Sequence, residues 1–335
     1  EFPSRAGVRD SWAASFVDYD RDGDVDIYVG RGGTIGGGPS GALRDVLLQR
    51  NAFGVLADVT GAAGLDSAQH RITTVAVAWS DYDGDGDLDL FAGDGQSFSS
   101  ASQGMLYTQR FDSSAEAPVF DRSTPWPADP LLASNHAEAA EWADVDGDGN
   151  LDLVVAGWGW PLNPATRIYW GDGTGGFATA ATLPIARDVA IGDLNLDGIP
   201  EIGLTRVESG SSSVPAVWAA NSAAQPRWMH DQTLTYGLAS SRVGATNDYR
   251  SIVMADVGGN GAVGDGDPDI LLGRDTNSTD EYFLENPVAD GPTSSTDWVR
   301  VKLNGLADTA NEGNGAGAIV RVVTSPGLAE QATQT

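Results

Sequence analysis

Short runs of apolar or alternating residues occur in pairs along this chain, and an acidic segment separates the two members of each pair. The run before the segment reads AASFV, TVAVAWS, AAEWA, DVAIG or SIVMA, and the run after it reads IYVG, LFAG, LVVAG, IGL or ILLG. Runs of this length and pattern are typical of β-strands that bury one or both faces. Each pair therefore predicts two strands joined by an acidic loop.

The acidic segments are copies of one nine-residue sequence. Four copies keep its length: DYDRDGDVD at 18–26, DYDGDGDLD at 81–89, DVDGDGNLD at 144–152 and DLNLDGIPE at 193–201. A fifth, expanded copy, DVGGNGAVGDGDPD, occupies 256–269. Successive copies begin 63, 63, 49 and 63 residues apart, which is the period of a supersecondary unit.

Two further strand-like runs complete each unit. Examples are GMLYTQR at 104–110 with APVFDRS at 117–123, and TRIYWG at 166–171 with GFATAATL at 176–183. Each unit thus reads as a four-stranded antiparallel meander, with Gly- and Ser-rich connections between strands. The predicted fold class is all-β: a β-propeller of four-stranded antiparallel blades, with five units visible and the acidic loop between the first and second strands of each.

Two other all-β architectures fit the pattern less well. A β-sandwich would lack the strict repetition. A calcium β-roll needs glycine-rich nonapeptides in tandem, whereas these nonamers stand tens of residues apart.

Composition narrows the possible partners. The chain has 335 residues with a formal charge of −28, which disfavours nucleic acid and anionic membranes as partners and favours a cation. Its 41% hydrophobic residues and 10 tryptophans are too many for a disordered acidic chain. It has no cysteine, so disulfides and thiolate metal sites are excluded. It also has no run of 18 or more apolar residues, so the sequence does not predict a membrane-spanning helix.

The spacing of acids in the nonamer predicts a calcium site. Calcium takes six to eight oxygen ligands, and alternating carboxylates on a tightly curled loop supply them from one side. Positions 1, 3, 5 and 9 provide carboxylates, a glycine at position 6 allows the sharp turn, and the carbonyl at position 7 is a further candidate ligand. The loops hold 21 of the 47 acidic residues, which predicts about five Ca²⁺ ions.

The candidate ligands follow from these positions. The first three loops contribute Asp18, Asp20, Asp22, Asp24 and Asp26; Asp81, Asp83, Asp85, Asp87 and Asp89; and Asp144, Asp146, Asp148, Asn150 and Asp152. The fourth contributes Asp193, Asn195, Asp197, Ile199 and Glu201, and the fifth Asp256, Asp265, Asp267 and Asp269, with Asn260 as a candidate middle ligand. Since the fourth loop has lost charge, we expect weaker binding there.

The nonamer has two alternative interpretations. An EF-hand shares the DxDxDG opening but needs a glutamate at position 12, where this chain has Val29, Ala92, Val155 or Leu204. The segments can also be plain acidic turns, an interpretation with more weight for the fourth and fifth copies than for the first three.

Nonamers placed between the first two strands of a repeated blade resemble the FG-GAP repeats of integrin α-subunit propellers and the VCBS repeats of bacterial surface proteins. DWVRVKLNG at 297–305 and NEGNGAGAIVRVVTS at 311–325 resemble the start of an ASPIC/UnbV domain, as in relatives of cartilage acidic protein. The resemblance implies a propeller over 1–296, with units near 10–66, 67–133, 134–186, 187–247 and 248–296, and a partial ASPIC/UnbV-like segment over 297–335. Propellers of this family have seven blades, two more than the units visible here.

No motif of a known catalytic class accompanies the repeat. His70, His136 and His230 lie at unrelated offsets from the loops, so we predict a protein that is not an enzyme, with a polysaccharide hydrolase or lyase as the less favoured alternative. Trp158, Trp160 and Trp170, with Trp126 before them, are expected to pack in the blade core or to stack on sugar rings.

The resemblance implies a secreted or cell-surface module for adhesion, recognition or surface structure. Its expected partner is a protein or another copy of the chain, bound through the loops of one propeller face. A carbohydrate-binding propeller is the alternative. An acceptor for N-glycosylation at Asn277 agrees with an extracellular location.

Overall fold

The structure is a computed structural model. The described residues are 11–31, 44–66, 73–95, 104–122, 137–158, 165–177, 181–209, 212–222, 225–236, 238, 249–257, 267–274, 282–284 and 286.

Five antiparallel sheets follow one another along the chain, and the strands of each sheet lie in sequence order. Blade 1 contains β1 (Ser11–Val17), β2 (Asp26–Arg31), β3 (Val46–Arg50) and β4 (Leu56–Asp58), and blade 2 contains β5 (Thr74–Ser80), β6 (Asp89–Asp94), β7 (Met105–Asp112) and β8 (Ala117–Arg122). Blade 3 contains β9 (Ala137–Ala143), β10 (Asp152–Gly157), β11 (Thr166–Tyr169) and β12 (Ala181–Leu183). Blade 4 contains β13 (Ala186–Gly192), β14 (Glu201–Ser209), β15 (Ser212–Ser222) and β16 (Gln225–Asp231), and blade 5 contains β17 (Tyr249–Ala255), β18 (Asp269–Arg274) and β19 (Tyr282–Leu284).

The first strands of successive sheets pack against one another. β5 lies between β1 and β9, and β13 lies between β9 and β17. Meanders that meet through their first strands, in chain order, are arranged radially about an axis. This arrangement is a β-propeller and confirms the fold class predicted from the repeat.

The hydrophobic core lies between neighbouring blades. Tyr28 of blade 1 meets Trp79 of blade 2 edge to face, with ring centroids 5.8 Å apart. One interface further on, Tyr82 stacks against both Trp142 and Phe177, with ring centroids 5.4 and 5.7 Å away. Aromatic pairs of this kind bury large apolar areas and fix the relative placement of the sheets.

The segment after β4 ties blade 1 to the outer strand of blade 2. The Phe120 amide donates to the Ala63 carbonyl at 2.9 Å, and a Cβ on Gly64 would lie 2.9 Å from the Phe120 carbonyl oxygen. Gly64 also has a φ of +81°. Only glycine combines that backbone conformation with so close an approach, so the contact between blades depends on it.

No helix long and apolar enough to cross a membrane occurs in the part of the chain that the structure describes.

Candidate metal centres

The acidic loops curl because two of their residues adopt left-handed backbone conformations. At position 6 the residue is always glycine: Gly23, Gly86, Gly149 and Gly198, with φ between +88° and +99°. At position 4, φ is +74° at Gly84 and +73° at Gly147, but +60° at Arg21 and +58° at Leu196. The first and fourth loops therefore carry a side chain where glycine is favoured.

Backbone amides of the loop point inward at the carboxylates. In loop 1 the Gly23 amide donates to Asp18 Oδ2 at 3.1 Å, and the Asp24 amide donates to Asp22 Oδ1 at 2.8 Å. The same bonds recur in loop 3, where the amides of Gly149 and Asn150 donate to Asp144 and Asp148. This network turns the carboxylates towards one centre before any cation is considered.

Three loops bring carboxylate oxygens within 4.8 Å of one another in sets of three. The sets are Asp18, Asp20 and Asp22; Asp81, Asp83 and Asp85; and Asp144, Asp146 and Asp152. Like charges this close repel each other unless protons or a cation intervene. The three clusters can therefore hold a metal ion.

Buried oxygens without partners occur in the first and second loops. Asp18 Oδ1, Asp26 Oδ2 and Asp81 Oδ1 are buried and accept no hydrogen bond. An uncompensated carboxylate oxygen is costly to bury, and a bound cation removes that cost. The donor set consists of hard carboxylate and carbonyl oxygens, which suits Ca²⁺ better than a transition metal.

Burial raises the pKa of several loop carboxyls. Desolvation raises the pKa of Asp18, with a further rise from the charges of Asp22 and Asp20. The pKa of Asp89 is raised to about 8, again chiefly by burial. A group of this kind gives up its proton readily when a divalent cation takes the proton's place.

The acid at position 9 has a second role that the spacing alone did not reveal. In loop 3 the Asp152 oxygens accept bonds from the Val145 amide at 3.0 Å and from the Gly171 amide at 2.8 Å. Asp89 receives the corresponding amides of Tyr82 and Gln109. The side chain thus closes the loop onto the third strand of its own blade as well as facing the cluster.

The fourth loop is organised differently around its glutamate. Glu201 accepts the Leu194 amide at 2.7 Å and the Asn195 side-chain amide at 2.8 Å. Asp193 accepts the amides of Asp197 and Gly198. The loop keeps the curled backbone, but Asn195 uses its amide group to satisfy Glu201 internally.

The fifth loop is described only at its two ends. Asp269 is fully buried and accepts the Val257 amide at 3.2 Å and the Asn286 amide at 3.0 Å. Asp267 is also buried. Asn260 and Asp265 lie outside the described residues, so the predicted ligand set of this loop stays a prediction.

Side chains outside the nonamer's ligand positions also contact acids of the loops. Gln49 on β3 donates to Asp20 Oδ2, and Arg21 lies 3.9 Å from Asp87 in the neighbouring loop. The contact between Arg21 and Asp87 places the first two loops on the same face of the propeller. Neither contact has a signal in the repeat, because each depends on which strand or loop lies alongside.

The closest contact of an arginine with a carboxylate cluster is in loop 3. Arg227 of β16 donates from Nε to Asp146 Oδ2 at 2.6 Å and from Nη2 to Asp148 Oδ2 at 3.3 Å. The Asp146 side chain is only 1% exposed. A guanidinium from blade 4 therefore already neutralises part of the loop 3 cluster.

The other predicted residues have varied surroundings. Trp170 is buried in the core between blades 3 and 4, and Trp158 lies under Arg187, whose guanidinium carbon is 3.8 Å from the ring centroid. His230 contacts Gln232 on the outer strand of blade 4. Trp126, Trp160, His70, His136 and Asn277 lie outside the described residues.

Fold and loops together define a β-propeller with acidic loops, three of which contain carboxylate clusters that can hold a metal ion. Residues 81–155 and 144–204 match the family of FG-GAP-like repeats, so the chain contains repeats of this kind. The match includes the second, third and fourth loops.

No curated protein matches the chain. Solved structures similar to it include the Dos1 propeller, with 10% identity, a TM-score of 0.40 and coverage of 79% of this chain and 52% of that one. The exotype rhamnogalacturonan lyase YesX has 14% identity, a TM-score of 0.42 and coverage of 81% and 43%. A glycoside hydrolase family 43 arabinoxylan arabinofuranohydrolase from Bacillus subtilis has 13% identity, a TM-score of 0.38 and coverage of 78% and 58%. The chain thus spans about half the length of these proteins.

Proposed function

We propose that this chain is a calcium-binding propeller that acts as a non-enzymatic recognition, adhesion or surface-structural module. The observation that carries the calcium part is the set of three aspartate clusters, two of which include a buried oxygen without a partner, on Asp18 and on Asp81. FG-GAP-like repeats commonly bind Ca²⁺, which supports the same choice of ion. Calcium at these loops replaces repulsion between carboxylates by shared coordination.

Calcium stabilises the blades at the places where the loops join two strands and two blades. Asp26 Oδ1 accepts the Arg50 amide at 2.7 Å, and Gln109 donates to the Tyr19 carbonyl from the next blade. An ion that orders loop 1 therefore also orders its contacts with β3 and with blade 2. Millimolar calcium, the concentration range in which extracellular modules bind this ion, suits an extracellular setting.

The partner we propose is a protein or a second copy of the chain, bound by the loops of one propeller face. Strongly negative charge on the calcium-free chain disfavours association with nucleic acid and anionic membranes. The proposal includes secretion into a calcium-rich environment. It also includes the resemblance of residues 297–335 to the start of an ASPIC/UnbV domain.

Calcium removal tests the proposal directly. The melting temperature of the full chain is expected to fall by about 10 °C or more when EDTA replaces calcium, because several ions that bind only the native state each stabilise it by mass action. Magnesium is expected to restore little of this loss. A melting temperature unaffected by EDTA would refute the calcium assignment.

A matched set of variants locates the ions. Replacing Asp18, Asp81 and Asp144 together by asparagine is expected to abolish most of the calcium-dependent shift while leaving the EDTA melting temperature nearly unchanged. Replacing the exposed acid Glu116 by glutamine serves as the charge control. Calorimetric titration then counts the ions that each variant has lost.

A further inference from the structure

The five first strands share an irregularity at the end opposite to the acidic loops. Each of them bulges at the same place in the repeat, six residues before the first aspartate of its nonamer. The bulged residues are Trp12, Val75, Glu138, Arg187 and Arg250. On β13 the bulge also includes Asp188.

A bulge re-aims the side chain of its extra residue, and bulges are over-represented next to functional sites. Here the five re-aimed side chains are one aromatic, one aliphatic, one acidic and two basic, although the same fold repeats in each blade. Structural constraints on equivalent positions of a repeat would favour similar residues. The first strands therefore differ in chemistry where they are irregular.

A cavity of about 350 Å³ opens between the first strands at this level. Trp12, Val75 and Glu138 line it together with the alanines that follow them on β1, β5 and β9. The small alanine side chains leave the space, and Trp12 keeps 45% of its surface exposed. The volume is at the lower end of the range for ligand pockets, about 300 to 1,000 Å³.

Two half-buried acids break the repeat inside the same cavity. Asp188 stands where three other blades have Ala13, Ala76 and Ala139. Glu141 likewise stands where blades 1, 2 and 4 have serine or alanine. A carboxylate is more expensive to bury than a methyl group, so their presence needs a compensating interaction.

Part of that compensation is structural. Glu141 Oε2 accepts the Ile191 amide at 3.0 Å, and Asp188 accepts the Ile252 amide and its neighbour Val189. The bonds from Ile191 and Ile252 tie first strands together across blade boundaries. Glu138, in contrast, accepts no hydrogen bond from any residue that the structure describes, although it lines the cavity.

Two arginines lie close enough to Glu138 to affect its ionisation. Arg187 and Arg250 lower the pKa of Glu138, while burial raises it more strongly, to about 7. The Arg187 guanidinium also covers the face of Trp158. The cavity thus combines an exposed indole, carboxylate acceptors and nearby guanidinium charge.

We propose that this axial cavity is a binding site for a saccharide, with Trp12 as the stacking surface and Glu138 as a hydrogen-bond acceptor for sugar hydroxyls. An indole face packs against the C–H face of a pyranose ring, and the ring's hydroxyl groups reach the surrounding polar groups. Hydroxyls donate and accept, so they suit a wall that offers both kinds of group. This site is separate from the calcium loops and extends the proposed recognition function.

An organic cation fits less well. It would use the carboxylates and the indole but would meet the positive charge of Arg187 and Arg250 beside Glu138. A purely apolar ligand would cover the half-buried Glu138 carboxylate without offering it a hydrogen bond. The mixture of groups favours a neutral polyhydroxyl ligand.

The test uses the full chain in saturating calcium. An array of neutral and acidic oligosaccharides identifies a binding structure, and calorimetric titration measures its dissociation constant. Trp12→Ala and Glu138→Gln are each expected to weaken binding at least tenfold, and Trp12→Phe is expected to retain most of it. The exposed residues Phe53 and Glu116 provide matched controls as Phe53→Ala and Glu116→Gln, which are expected to bind as the unaltered chain does.

The outcomes separate this site from the calcium proposal. The melting temperature in calcium and in EDTA shows that each variant is folded and loaded. An array without hits, hits that survive both Trp12→Ala and Glu138→Gln, or binding of spermidine in place of sugars would each overturn the saccharide site. None of these results would alter the calcium-dependent melting shift, whose loss would instead refute the calcium assignment.

Discussion

The two ends of the first strands in this propeller follow opposite rules. At the end where the strands lead into the acidic loops, the residues repeat closely, with glycine at position 6 of four loops and an acid at position 9 of all five. At the other end, equivalent bulged positions carry Trp12, Val75, Glu138, Arg187 and Arg250. Repetition is what a common backbone and a common ion require, whereas divergence on an identical scaffold allows one asymmetric ligand to be recognised.

The largest expected effect separates two roles inside the repeated end. Asp152→Ala should destabilise the chain by about 3 to 5 kcal/mol even in EDTA, because it leaves two buried backbone amides without their charged acceptor. Those amides belong to Val145 and Gly171. Denaturant unfolding with EDTA measures the change.

Asp144→Ala is the matched comparison for that experiment. Asp144 caps amides within its own loop, so its loss should cost about 1 kcal/mol in EDTA. Both variants should lose the calcium ion of loop 3. Equal destabilisation without calcium would show that position 9 has no special structural role.

The strands, their order within each blade and the positions of the loops were predictable from sequence. Burial alternates along β5, from Thr74 to Ser80, as the alternation of its residue types predicts. The spacing of acids and glycine in the nonamer likewise predicts the curled loops. Local rules sufficed because these features depend on residues within one unit. The carboxylate clusters likewise follow from the nonamer, although their identity as calcium sites stays a prediction.

Features that depend on neighbouring strands could not be read from the repeat. Arg227 reaches Asp146 from 81 residues away. The bulges arise from how two strands are paired, and the repeat period alone does not show which residue is the extra one. In hindsight, equivalent positions that break the repeat, such as Glu141 and Asp188, were the available signal for the axial cavity.

The divergent end should give the calcium-loaded chain a pH dependence of its own. Burial raises the pKa of Glu138 and Glu141 to about 7, with the charge of Asp188 adding to the rise at Glu141. Between the ordinary value of 4.5 and about 7, the native state binds more protons than the unfolded state. Stability from these groups is therefore full below pH 4.5 and is lost as the pH rises through 7.

Glu141→Gln should remove the contribution of one titrating carboxyl to the pH dependence of stability. In saturating calcium, the unfolding free energy of the unaltered chain should fall between about pH 5 and pH 7.5. The fall in the variant is expected to be smaller by about 1 to 2 kcal/mol. Chemical denaturation at a series of pH values measures the slope. An unchanged slope would show that Glu141 ionises as an ordinary surface acid does.

Arg227 should make loop 3 behave differently from loop 2. Arg227→Ala is expected to increase calcium affinity at loop 3 by about threefold to tenfold, because the guanidinium competes for Asp146 and Asp148 at an interaction energy of about 1 kcal/mol. The same change should lower the melting temperature in EDTA. Terbium luminescence, excited through nearby tryptophan and competed with calcium, reports the affinity.

The control for that change is the weaker contact between loops. Arg21 is 3.9 Å from Asp87, and the two side chains are 41% and 35% exposed, so Arg21→Ala should leave calcium affinity at loop 2 within about twofold. If both arginine variants changed affinity equally, general charge rather than the direct contact in loop 3 would be responsible.

The smallest effect concerns position 4 of the loops, where repetition itself is incomplete. Leu196 has a φ of +58°, whereas the second and third loops have glycine at this position. Leu196→Gly should therefore stabilise the chain by about 0.5 to 1 kcal/mol, since it removes left-handed strain from a side-chain-bearing residue. Leu196→Ala keeps the strain and should give no gain, and denaturant unfolding of both in EDTA distinguishes relief of strain from loss of the leucine side chain.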